Sequence, residues 1–271
     1  MPLTSPLKDI TLGTYAYRDS VVHKLDPRTK LLCCFLFLLA AVFIKNIYSL
    51  LGYLFFIVLL FLIAKLNLKI FLGNIKTFSW LFILTIGFHV FFTKGRILFC
   101  IPVINVNIYS EGLNKGLFYS LRLIALILTA NILTLTTSPM EITDGIERLI
   151  RPFKIFGFHS HEIAMMFSIS LRFIPILIEE SDRIRKAQIS RGSNFQNGFT
   201  KKIRQLMPLI IPLFLSAFRR ANDLAYAMDA RCYTGTGRTN YIVLKLGTKD
   251  IAAFFFAVIF LGVAIYVSNF L

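Results

Sequence analysis

The sequence predicts an all-α integral membrane protein with about five transmembrane helices and a cytoplasmic region built on two long crossed helices. Three observations carry that prediction. First, 56% of the 271 residues are hydrophobic, 28 are Phe and only 14 are acidic, and the mean hydropathy is +0.69; a soluble core has no use for so many phenylalanines in uninterrupted runs. Second, the Lys and Arg residues behind the net charge of +16 cluster between apolar spans, as cytoplasmic loops of membrane proteins do. Third, one helical pattern occurs twice near the C-terminal end, forty residues apart.

The basic balance raises nucleic acid as a partner, but the cations lack the aromatic interleaving of a single-strand binder, so no nucleic acid is expected. Cys33, Cys34, Cys100 and Cys232 show no paired spacing, which argues against a disulfide framework or a zinc site and for small buried hydrophobes. Met1–Val22 is polar and mixed and is expected at the cytoplasmic membrane surface. No cleavable signal pattern precedes the first apolar run, so the first span should itself direct insertion.

Asp26 can N-cap a helix whose first position is Pro27, where a missing N–H costs nothing. The apolar run that follows, Leu31–Ile44, is short and is expected to span or re-enter with Arg28, Lys30 and Lys45 snorkelling from its ends. Ile47–Ala64 is long enough to cross, at about 27 Å. A basic loop with Lys65, Lys69 and Lys76 follows, then a third span, Phe78–Phe92, with Trp80 at an interfacial depth. Thr93–Ser110 holds Gly95 and Pro102 and reads as a loop with room for a small hairpin. Leu113–Thr137 makes the fourth span and Ile251–Val267 the last. The division is therefore residues 1–137 (four spans), 138–250 (cytoplasmic) and 251–271 (the final span), with the N-terminus inside.

The stretch 138–250 holds 17 of the 30 Lys and Arg residues against 10 of the 14 acids, a surplus of 7. Pro139–Ile150 reads as a short amphipathic helix with Glu141 and Asp144 in its first turn. His159–Ser190 and Thr200–Ala230 read as two long helices, each apolar in its first half and charged in its second. Such helices lie against the membrane at one end and emerge into water at the other. Pro175, Pro208 and Pro212 sit in the apolar halves, where a kink could redirect each helix.

The repeat lies in the charged halves. Ile184, Ala187 and Arg191 correspond to Leu224, Ala227 and Arg231, at i, i+3 and i+7 along one helix face. One turn earlier Ser181 matches Ala221. These four small residues, Ser181, Ala187, Ala221 and Ala227, form a line expected to permit close helix crossing. Each arginine closes its line at a helix end: Ser190-Arg191-Gly192 in the first copy, with Gly192 placed as a C-cap, and Ala230-Arg231-Cys232 in the second.

These residues give the chain a resemblance to a known family. His23-x-Leu-Asp-Pro-Arg-x-Lys30, Leu171-Arg-Phe-Ile-Pro175 followed by Glu179-Glu180, Arg183-x-Arg-Lys-Ala-Gln-x-Ser-Arg191-Gly192, Ala227-Met-Asp-Ala-Arg231 and Gly235 to Arg238-Thr239 together resemble the transmembrane T component of energy-coupling-factor (ECF) transporters. The resemblance covers most of the chain. It implies a bacterial or archaeal cell-membrane scaffold whose partners are two cytoplasmic ABC-type ATPases and a substrate-binding membrane S component, with uptake of vitamins or related micronutrients as the outcome. It further implies that the two Arg triplets are the ATPase-docking motifs, each arginine meeting acidic residues of one ATPase, and that no cofactor belongs to this chain, ATP-Mg being bound by the ATPases. The chain departs from the family pattern at Cys232, where a C-capping glycine is expected. The run Gly235–Thr239 leans towards the T component shared by several vitamin S components over the dedicated cobalt/nickel form.

Competing site readings are weaker. His159-x-His161-Glu162 does not bring two ring nitrogens to one helix face, so no metal site is expected. His23 and His89 read as packing residues. Arg122 and Asn131 are polar groups within the fourth span, and Arg122, about 13 Å from its outer end, can snorkel. No phosphate-binding G-x-x-x-x-G-K-[ST] loop is present, so the chain is not expected to hydrolyse ATP. A membrane phosphotransferase using Asp223, Asp229 and Arg231 would need acids converging on one face, whereas six residues separate these two by about 120° around a helix.

Overall fold

The structure is a computed structural model, described for residues 18–66, 73, 75–95, 97–101, 106–150, 152, 160–192, 199–233 and 246–270. The chain divides into two compact units, one of Met1–Leu12 with Ile146–Val243, the other of Gly13–Gly145 with Leu244–Leu271.

The second of these units is a helix bundle. Helix α1 (Pro27–Phe43) begins as expected: the Asp26 carboxylate accepts the Arg28 N–H at 3.0 Å and Pro27 takes the first position. Helix α2 (Ile47–Ile63) buries Leu50, Tyr53, Ile57 and Phe61, one residue per turn, and leaves Tyr48, Phe55 and Leu62 exposed. It ends in a Schellman turn, with Lys65 in the left-handed region (φ 54), Lys65 N–H donating to Leu62 and Leu66 N–H to Phe61. Leu66 then packs with Phe61, the apolar contact that usually accompanies this turn.

Helix α3 (Ser79–Phe92) leads into the hairpin that Gly95 and Pro102 left room for: β1 (Ile97–Ile101) runs antiparallel to β2 (Val106–Tyr109), with Cys100 opposite Asn107. Helix α4 (Ser110–Thr136) is the longest in this unit, 27 residues or about 40 Å. Gly112 and Gly116, one turn apart, let α3 lie against its backbone: a Cβ on Gly112 would stand 2.6 Å from the His89 carbonyl oxygen, and one on Gly116 3.1 Å from Ile86 Cα. Helix α5 (Pro139–Ile150) opens on a capping box, Glu141 N–H to Ser138 Oγ and Ser138 N–H to Glu141 Oε2, both 3.2 Å. Asp144 lies beyond the first turn, because the helix already starts at Pro139.

Helix α8 (Thr248–Phe270) closes the bundle along α1. The centre is built from Ala40 and Ala41 of α1 and Ile44 that caps it, Leu50, Tyr53 and Ile57 of α2, and Ala125 and Leu128 of α4, with Phe260 and Leu261 of α8 packed on it. Phe56 and Phe260 stack at 4.2 Å. Tyr53 provides a polar joint inside this apolar centre, its hydroxyl 3.0 Å from the Phe37 carbonyl and 2.8 Å from Thr129 Oγ1. The outward faces stay greasy: Phe55, Phe92 and Ile259 are each more than 60% exposed, an arrangement suited to lipid and not to water. Helices α4 and α8 are long and apolar enough to cross a membrane, and α2 and α3 are shorter apolar helices.

In the other unit, α6 (Ser160–Ser190) packs on α7 (Phe199–Asp229), each 31 residues. Both run as continuous helices through Pro175, Pro208 and Pro212. The apolar half of α7 exposes Met207, Ile211, Phe214 and Phe218.

Candidate functional site

The two arginine motifs stand at equivalent places. Arg191 follows the last residue of α6, its N–H shared between the Ala187 and Gln188 carbonyls at 3.2 Å. Gly192 then adopts φ +87 and donates to the Ile189 carbonyl at 3.0 Å. Forty residues later Arg231 donates to Met228 at 3.1 Å, and Cys232 adopts φ 55 and donates to Asp229 at 2.9 Å. Tyr233 N–H reaches back to the Met228 carbonyl at 3.1 Å, completing a Schellman turn. Cys232 therefore fills the left-handed position without being glycine, and it shares with Gly192 a positive φ and an N–H bonded three residues back.

Ser190, Arg191, Gly192, Ala230, Arg231 and Cys232 are all exposed. Ser190 Oγ bonds its own helix, at 3.1 Å from the Lys186 carbonyl. Of the small residues, Ser181 is half-buried, whereas Ala187, Ala221 and Ala227 are exposed, so most of that line lies open on the helix surfaces. Ile184 and Leu224 are half-buried. Among the described residues Arg220 ties the helices to Glu180, Nη2 to Oε2 3.7 Å, and Arg183 approaches the same carboxylate at 3.8 Å. Asp223 and Asp229 are both exposed. His159 and Gly235–Thr239 lie outside the described residues.

Two groups of residues in the bundle play a larger part than the sequence suggested. Lys30 was expected to snorkel outward; instead it is 6% exposed. Its ammonium donates to the His23 carbonyl at 2.8 Å and the Thr136 carbonyl at 3.0 Å, because the end of α4 and the 20–24 turn close over it. Beside it, Asp250 Oδ1 accepts the Asp26 N–H at 2.7 Å and Oδ2 the Gly247 N–H at 2.8 Å. The motif His23–Lys30 was visible in the sequence, but its partners lie more than a hundred residues away. At the other end of α1, Arg122 does have a partner: it donates to the Ile44 carbonyl, with its guanidinium 4.7 Å from the Phe118 ring centre and 5.3 Å from that of Tyr119. Lys45 N–H and Asn46 Nδ2 bond Ser268 alongside, at 2.7 and 3.1 Å.

An apolar cavity of about 170 Å³ lies in the bundle, lined among others by Lys30, Cys33, Phe37, Ile57, Ile132 and Phe256.

Comparison with known proteins gives a consistent result. The family model described as "Cobalt transport protein" matches residues 18–241. Similar curated proteins include the energy-coupling factor transporter transmembrane protein EcfT of Acidaminococcus fermentans, 47% identical over 90% of this chain and 91% of that protein. The proteins of that name from Thermosediminibacter oceani and Bacillus subtilis are each 43% identical, covering 92% and 90% of this chain and 94% and 92% of their own lengths. These relatives are named as membrane components of a transporter, a non-catalytic role, which removes the phosphotransferase alternative. With a family model covering most of its length and relatives of this identity, the chain belongs to the family of energy-coupling factor transporter transmembrane proteins.

Proposed function

We propose that this chain is the energy-coupling scaffold of an importer, with Arg191 and Arg231 as docking points for two cytoplasmic ABC-type ATPases. The observation that carries the reading is the equivalence of the two helix ends: each exposes an arginine immediately before a left-handed residue that turns the backbone away. A guanidinium is a planar, permanently charged fork suited to carboxylates, and one per helix matches one socket per ATPase. ATP-Mg belongs to those ATPases. Their movement passes through α6 and α7 to the membrane, where an S component carries the substrate, a vitamin or related micronutrient. The apolar helices cross the bilayer about five times with the basic stretch 138–250 and the N-terminus on the cytoplasmic side, an orientation supported by the distribution of Lys and Arg.

The test is co-purification from detergent. Arg191→Glu with Arg231→Glu should release the ATPases from an otherwise folded membrane chain; their unchanged recovery would overturn the docking assignment. The description of the matching family model keeps a dedicated cobalt/nickel form as the second reading. Recovery of several different S proteins with the chain supports the shared vitamin form, and recovery of one supports the dedicated form.

A further inference from the structure

The motif His23–Lys30 is left without a role by the docking reading, yet its Asp26 and Lys30 are, with Asp250, the most buried charges among the described residues of the bundle. Lys30 and Asp26 are each 6% exposed and Asp250 7%. Their bonds join four separate pieces of chain. Lys30 ties the first turn of α1 to the 20–24 turn and to the last turn of α4, through the His23 and Thr136 carbonyls. Asp250 ties the start of α8 to the start of α1, by accepting the Asp26 N–H while also holding Gly247 N–H. The Lys30 ammonium is set against the carboxylates of Glu141, Asp26 and Asp250, so the cation lies among acids of the chain itself.

The position of this cluster in the chain is what gives it meaning. The chain leaves the bundle through α5, which begins two residues after Thr137 and whose Gly145 sits against Pro27 and Leu31, with 3.0 Å to Leu31 Cδ1 and 3.3 Å to Pro27 Cβ for an added Cβ. It returns at Leu244 and enters α8 through Gly247 and Asp250. The returning helix is therefore bonded to the start of α1 through Asp250 and Asp26, and the outgoing helix packs against the same Pro27–Leu31 segment at Gly145. A displacement arriving along either path meets a fixed base instead of a soft loop.

We infer that Lys30, with Asp26 and Asp250, is a positioning knot that passes movement of the α6–α7 helices into the membrane bundle. This rests on the scaffold reading above. Lys30 touches neither ATPase nor substrate in this scheme; it acts by holding the end of α4, from which α5 follows, to α1, while Asp250 holds the start of α8 there.

The experiment uses the whole complex purified with its ATPases. Spin labels are placed at Phe92→Cys and Tyr226→Cys, both residues 73% exposed, with Cys100 and Cys232 replaced by serine and the buried Cys33 and Cys34 retained. ATP-Mg should shift the distance between the labels in this parent. In Lys30→Met and in Asp250→Asn the ATPases should still co-purify and ATP hydrolysis should stay within twofold, while the ATP-driven shift falls at least threefold. Lys30→Arg, which keeps donors for both carbonyls, should restore part of it. An undiminished shift in both variants overturns the knot, and so does loss of the ATPases from both, which would make these residues elements of assembly alone. Should Lys30→Met alone fail to fold, the isosteric Asp250→Asn decides. If the parent itself shows no shift, the scaffold reading falls and the knot with it, an outcome distinct from a shift that the variants leave unchanged.

Discussion

Arg220 of α7 reaches Glu180 of α6, Nη2 to Oε2 3.7 Å, and so makes an ion pair between the two long helices. The Arg220 side chain is 40% exposed and that of Glu180 20%, so water screens the pair. A double-mutant cycle with Glu180→Ala and Arg220→Ala, read by thermal unfolding in detergent, should give a coupling below about 1 kcal/mol that shrinks further in high salt. A coupling several times larger would place the pair in a drier setting than this geometry implies.

If the two arginine motifs dock the ATPases as proposed, the shape of the cation should matter as much as its sign. Arg191→Lys keeps the charge but loses the fork, and should weaken ATPase retention by about tenfold or more, the scale of a central interface arginine. Quantified co-purification at a series of salt concentrations checks this, and equal retention by lysine would argue that only net charge is read.

The left-handed residues after those arginines predict opposite responses to substitution. Gly192, at φ +87, should be destabilised by about 1 kcal/mol as Gly192→Ala, whereas Cys232→Gly, relieving φ 55, should gain a similar amount. Melting of the detergent-solubilised protein measures both signs.

Close packing of α3 on α4 gives a graded pair. Gly112→Ala forces a methyl to 2.6 Å from a backbone oxygen, a contact that no side-chain movement can relieve, and should cost about 3 kcal/mol; Gly116→Ala, at 3.1 Å from Ile86 Cα, should cost nearer 1 kcal/mol. Relative melting temperatures of the two variants test the order.

Arg122→Met removes the donor to the Ile44 carbonyl and the contact with two rings. The orphaned carbonyl together with the lost cation–π contact should cost about 2–3 kcal/mol, seen as lower thermal stability with the helical circular dichroism of the folded state preserved at low temperature.

What the sequence revealed and what it concealed divide along the range of the interaction. Helix starts were legible where the signal is local: Asp26-Pro27 for α1, and Ser138 with Glu141 three residues on for α5. The hairpin 97–109 was legible only as a possibility, since Gly95 and Pro102 mark turns without fixing a register. Burial of Lys30 was not legible, because its acceptors are backbone carbonyls, and the Thr136 carbonyl lies 106 residues away. The acceptor of Arg122 is likewise a carbonyl at the end of α1, which no letter in the sequence announces. The two arginine motifs were legible as a repeat, and the structure adds their matched exits.

Those matched exits bear on how such a motif can drift. A non-glycine residue in the left-handed region costs about 1 kcal/mol, little beside the packing of a 31-residue helix. The letter after the arginine is then free to change so long as the backbone still folds back, as Cys232 does through Asp229 and Met228. Under the docking proposal the arginine has no such latitude, because no other side chain has its fork. Across divergent sequences, the informative signature is an arginine followed by a reversed backbone twist, and a search keyed to glycine would pass over copies that keep the geometry.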